Sequence, residues 1–112
     1  MTDARDLTVI QRWFDRHRRG GLVLPDGWFG RPFDTAFRLA SIEERDDNVS
    51  MTLDQGVTVE VGGVKMVSSS DSELVIESCG RIRVEWPTRD DPPRESMEYS
   101  CGRVTFVRFP TL

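Results

Sequence analysis

The sequence predicts an α+β fold: one N-terminal amphipathic helix followed by a mainly antiparallel, curved β-sheet or partly closed small barrel. Three observations carry that expectation. Residues 3–19 place Leu7, Ile10, Trp13, Phe14 and His17 at the three- and four-residue spacing of one helix face. After Gly21 the period changes to two, and apolar residues alternate with polar ones in short runs separated by turn residues. Those runs recur every ~8–12 residues, the spacing of a hairpin meander of about seven to nine strands.

Thr2 or Asp3 can cap the helix N-terminus, Asp6 lies in the favourable first turn, and Gly20-Gly21 would close its C-terminus. The β-rich part then spans about 22–109. Leu22-Val23-Leu24 stops at Pro25-Asp26-Gly27, where proline presets one turn angle and glycine supplies a positive one. Residues 36–44 read as a strand despite two competing apolar phases. The clearest hairpin joins Val49-Met51-Leu53 to Val57-Val59-Val61 through Asp54-Gln55-Gly56. Gly62-Gly63 marks a bulge or corner before Val64–Val67. Further strands are expected at Leu74–Ile76, Ile82–Trp86, Met97–Tyr99 and Val104–Phe106. PTRDDPPRE is read as an exposed loop, too short to divide domains, so residues 1–112 form one domain.

Charge and composition narrow the function classes. The 112 residues carry a net charge of −4, and 14 of the 15 basic residues are arginine, Lys65 being the exception. That split suits codon bias in a GC-rich, bacterial-type genome. Residues 1–19 carry an excess of arginine, and the remainder is strongly acidic. Nucleic acid is therefore not expected as a partner, since its binders show a strong basic face and a high pI. No window approaches the ~18 apolar residues of a membrane span, and the start of the chain does not read as a signal peptide. A reducing cytoplasm and free thiols are expected for Cys79 and Cys101.

Both cysteines sit in the same phrase, Ser-Cys-Gly-Arg followed by Ile82 or Val104. The echo reads as two similar hairpins with their turns at one end of a sheet. Such turns would lie about two strand spacings apart, beyond the ~7 Å Cα separation that a disulfide spans unless the sheet curls.

The sharpest cluster is Trp28-Phe29-Gly30-Arg31-Pro32-Phe33-Asp34, extended by Phe37 and Arg38. Aromatic rings give rigid contact area, and arginine can hold a carboxylate or phosphate by paired hydrogen bonds. Trp28, Phe29, Arg31, Phe33, Asp34 and Arg38 are thus the candidate contacts of a non-enzymatic binding or interaction module for a protein or small molecule, with a homodimer as one arrangement. The competing structural reading tucks the rings under the helix and pairs Arg31 with Asp34. A second functional reading is a small enzyme with a carboxylate site at Asp26 and Asp34. A third, from the acidic charge, is an inhibitor or immunity-type partner of a basic protein. His17 is the sole histidine, and no nucleophile–base set, metal-ligand spacing or phosphate cradle accompanies it, so neither cofactor nor metal is expected. Arg81, Arg83 and Glu85 with Arg103, Thr105 and Arg108 would form one charged sheet face if the two Cys-Gly hairpins adjoin.

Overall fold

The computed structural model describes residues 4–29, 36–45, 48–88 and 94–108. Helix α1 runs Ala4–His17 and presents Ile10, Trp13 and Phe14 to the core, with Leu7 and Val9 half-buried beside them. Its end differs from the expected glycine cap. Arg18 takes the left-handed conformation at φ 65° and donates its N–H to Phe14 O at 2.7 Å. Gly20 and Gly21 belong instead to the first strand. The reason is clearance: a Cβ on Gly20 would lie 2.9 Å from the Trp13 ring.

Among the described residues ten strands follow: β1 Gly20–Leu24, β2 Gly27–Trp28, β3 Leu39–Arg45, β4 Asn48–Leu53, β5 Thr58–Gly62, β6 Val64–Ser69, β7 Glu73–Ser78, β8 Ile82–Pro87, β9 Arg94–Tyr99 and β10 Gly102–Arg108. They form two antiparallel five-stranded sheets, ordered β2-β1-β10-β7-β6 and β3-β4-β5-β8-β9. Neither sheet closes on itself. The α+β class stands, with one strand more than the nine runs expected, because Gly27–Trp28 turns back to pair with β1 as the short β2.

That corner corrects the hairpin reading of the Cys-Gly phrases. Cys79-Gly80 carries the chain from β7 in one sheet to β8 in the other, and Cys101 carries it back from β9 to β10. Gly62-Gly63 makes the same passage between β5 and β6. Three neighbouring segments, 58–69, 73–87 and 94–108, therefore bend together from sheet to sheet. Across the bend Gly62 N–H donates to Arg81 O at 2.7 Å and Cys79 N–H to Gly63 O at 2.9 Å. The Ser78 hydroxyl donates to Gly62 O. Backbones approach so closely here that a Cβ on Gly80 would lie 3.0 Å from Gly62 O.

Two bulges account for runs of mixed phase. The register of β3 on β4 shifts between Leu39 and Ser41, so Leu39 and Ile42 both reach the core despite their odd spacing. A shift between Val64 and Met66 does the same for Val64 and Val67. The core lies between the sheets and includes Leu22, Phe37, Val49, Met51, Leu53, Val59, Val61, Leu74, Ile76, Ile82, Val84, Val104 and Phe106. Helix α1 packs against β6 of one sheet and β3 of the other. Phe14 meets Phe106 edge-on at 4.9 Å, and Trp13 Nε1 donates to Ser70 O at 3.2 Å.

Candidate functional site

The aromatic–arginine segment divides where the sequence suggested one loop. Its first residue, Trp28, pairs with Val23 at the edge of the β2-β1-β10-β7-β6 sheet and is 47% exposed. Phe29 turns the other way. Its N–H donates to Leu22 O at 2.9 Å, and its ring packs against Phe37 at 6.0 Å and Trp86 at 5.3 Å. Phe37 is buried and exchanges two 2.9 Å backbone hydrogen bonds with Gly20. Arg38 is exposed, and its backbone is fixed by a 3.0 Å bond from its N–H to Asp54 Oδ1 and a second from Asp54 N–H to its carbonyl. Arg31, Phe33 and Asp34 lie outside the described residues. Among its described residues the segment therefore supplies one exposed tryptophan, buried Phe37 with Phe29 packed against the core, and one exposed arginine.

Arg38 lines a cavity of about 720 Å³ between α1 and β3, together with Arg18, Asp15, Gln11 and Ser41. Trp28 is not among its lining residues. The two ends of the segment thus serve different surfaces.

Asp26 accepts a 2.8 Å hydrogen bond from the Tyr99 hydroxyl. Burial, reinforced by that bond and by the Asp26 charge, pushes the Tyr99 hydroxyl up to about 12. An Asp26–Asp34 pair falls outside the described residues. His17 is half-buried, and its ring packs at a tilt against Trp13, 4.8 Å between centroids. Its Nε2 is buried and has no hydrogen-bond partner among the described residues. The ring is thus committed to packing against the helix's own tryptophan. Neither cysteine lies within the helix and pocket contacts around it.

The single charged face expected across Arg83 and Arg103 is two faces, because β8 and β10 lie in different sheets. On the first, Glu60, Arg83 and Glu98 stand opposite one another across β5, β8 and β9. Arg83 approaches Glu85 at 3.2 Å and Glu98 at 4.0 Å, and Arg81 approaches Glu98 at 3.7 Å. A hydrogen bond from Arg94 holds the Glu85 carboxyl below its ordinary value, against a smaller opposing effect of desolvation. On the other face Arg103 pairs with Glu77 at 3.2 Å. Exposed pairs of this kind contribute roughly 0–1 kcal/mol each, so they solubilise more than they stabilise.

Beside Arg103 and Thr105, the outer face of the β2-β1-β10-β7-β6 sheet carries apolar residues that the alternation did not flag. Register aligns Trp28, Val23, Thr105 and Val75 in one cross-strand row ending at exposed Ser68. Val107 stands beside this row, and Met66, 48% exposed, lies beyond the Arg103–Glu77 pair. A signal for them exists in the sequence. Leu22-Val23-Leu24, Leu74-Val75-Ile76 and Phe106-Val107 are unbroken apolar runs, and an unbroken run in a strand puts apolar residues on both faces. No family model, no curated protein and no solved structure matches this chain.

Proposed function

We propose that the protein is a non-enzymatic protein-binding module whose contact surface is the outer face of the β2-β1-β10-β7-β6 sheet, centred on Trp28. The observation that carries this reading is the position of that side chain. It is a large aromatic ring left half-exposed at the head of a row containing Val23, Thr105 and Val75, none of them fully covered. Tryptophan is among the side chains that contribute most when an interface buries them. A contiguous apolar strip rimmed by charge, here Arg103, Glu77 and Glu73, is the usual composition of a contact surface. The net charge of −4 would speed encounter with a basic protein, which keeps the inhibitor- or immunity-type role within this reading. The shared bent strands would give the face the stiffness of a half-closed barrel, and residence in the cytoplasm fits two free thiols. The carboxylate-enzyme alternative draws less support, since Asp26 is engaged by Tyr99.

The test is a photo-crosslinking residue placed at Trp28 and, separately, at Glu60 on the opposite sheet, with both variants expressed in the source cell. A discrete protein adduct from position 28 and none from position 60 supports the reading. The adduct's mass distinguishes a second copy of the chain from a different partner. Equal labelling from both positions, or none from either, overturns it.

A further inference from the structure

We infer that Cys79 and Cys101 form one cross-strand dithiol, a modification site that low-molecular-weight disulfides convert to an intramolecular disulfide. The inference is independent of the docking face and rests on register at the corner. The last pair of β7 with β10 is Ser78 opposite Gly102. Carried one residue past that last pair, the register sets Cys79 opposite Cys101, at the bend where both strands leave the sheet. On the other side of the corner β8 and β9 resume with Ile82 opposite Tyr99. The β7–β8 connection is therefore one residue longer than the β9–β10 connection, and Gly80 is the extra, bulged residue.

The hydrogen bonding decides which kind of pair the cysteines make. Cys79 N–H points away from β10 and donates to Gly63 O at 2.9 Å. In an antiparallel strand the N–H and C=O of one residue point to the same side, so Cys79 and Cys101 occupy a non-hydrogen-bonded position. In an ideal ladder such a pair sets its Cα atoms about 4.5 Å apart with side chains on the same face. That separation falls inside the ~4.4–6.8 Å window of disulfides. Both thiols are exposed and free, so an oxidant can reach them. The close backbone contacts of Gly62, Gly63 and Gly80 hold the corner in place, and a Cβ on Gly102 would meet Pro25 at 3.0 Å. The two strands are thus brought together by the fold and not by the bond.

The reaction is two thiol–disulfide exchanges. One cysteine thiolate attacks a sulfur of the oxidant RSSR, forming a mixed disulfide and expelling RS⁻, which takes a proton. The second thiolate attacks the protein sulfur of that mixed disulfide, closes the Cys79–Cys101 bond and expels the second RSH. The protein dithiol loses two electrons and two protons, and RSSR is reduced to two RSH.

The test treats the reduced, folded protein with oxidised glutathione, quenches with acid, alkylates and measures intact mass beside C79S and C101S. The expected wild-type product is a monomer two hydrogens lighter than the reduced chain, with both thiols lost to alkylation and no lasting glutathione adduct. Each serine variant should stop at one glutathione adduct, which shows that both thiols are reachable. Accumulation in the wild type of a doubly glutathionylated chain, of a disulfide-linked dimer or of unreacted thiols overturns the inference.

Discussion

Two tryptophans allow the core and the proposed surface to be separated by one pair of substitutions, Trp13→Ala and Trp28→Ala. Trp13 is 3% exposed, lies edge-on to Phe14 at 5.2 Å, supports the His17 ring and backs onto Gly20. A buried tryptophan removes roughly 150–250 Å² from water. Truncation there should cost about 3–5 kcal/mol, because glycine at position 20 has no side chain to fill the space. The lost indole N–H adds little, since Ser70 is exposed and its carbonyl can return to water. Trp28 is 47% exposed. About half its surface is covered, alanine retains part of that, and the unfolded chain covers some as well, which leaves about 1–1.5 kcal/mol. For a domain of this size ~1 kcal/mol shifts the melting temperature by roughly 4–8 °C. Thermal and urea melts followed by far-ultraviolet circular dichroism should thus show a fall of roughly 15–25 °C for Trp13→Ala and roughly 5–8 °C for Trp28→Ala. Comparable losses in the two variants would refute the assignment of Trp28 to a surface and return the segment to the core.

Three further outcomes follow from local geometry. Gly63 has φ 57° and a Cβ there would lie 3.0 Å from Gly80 N, so Gly63→Ala should destabilise by about 2–4 kcal/mol in a urea titration, combining left-handed strain with overpacking. Arg18→Gly should do the opposite. It replaces a non-glycine residue at φ 65° and should raise the urea midpoint by the equivalent of about 0.5–1 kcal/mol. Tyr99 is the chain's only tyrosine, so its tyrosinate absorbance can be read without ambiguity. Its folded-state value of about 12 stands above the ordinary value near 10. Between these the folded chain holds a proton that the unfolded chain has released, so stability should be lost as pH rises from about 10 towards 12, and Tyr99→Phe should remove that part of the loss.

The helix and the β4–β5 hairpin were legible because each depends on residues close in sequence. Ile10, Trp13 and Phe14 share a face whatever lies beyond them, and Asp54-Gln55-Gly56 is a turn in its own right. The glycine pair after the helix was misread because two physical demands select glycine, and only the fold tells them apart. A helix cap wants a positive φ, whereas Gly20 is there for clearance from Trp13, and Arg18 bears the positive φ instead. The mixed phase at 36–44 was visible, but a bulge is needed to resolve it, and a bulge is a property of pairing with β4. The aromatic segment failed in a similar way. Composition grouped Trp28, Phe29 and Phe37, while direction sends Trp28 outward and the other two into the core. Alternation also hides the outer row, because Val23 and Val75 sit inside unbroken apolar runs that show no second face.

The Cys-Gly echo shows how a correct local observation can carry the wrong topology. A Cys-Gly pair between two strand-like runs fits a tight hairpin turn, and a tight hairpin places its two strands side by side in one sheet. Here the flanking strands separate into different sheets, because each is already paired on both sides. β7 lies between β6 and β10, and β8 between β5 and β9. Pairing on both sides forces the chain across the bend, and the neighbouring segments must bend at the same level to keep their ladders. Glycine is then required where backbones touch, as Gly62, Gly63 and Gly80 do. The repeated phrase therefore reflects adjacent crossings of one corner. This also reverses the geometric expectation for the thiols. Turns of two neighbouring hairpins stand two strand spacings apart, but crossings on paired strands stand one apart, and a cross-strand cysteine pair needs that single spacing.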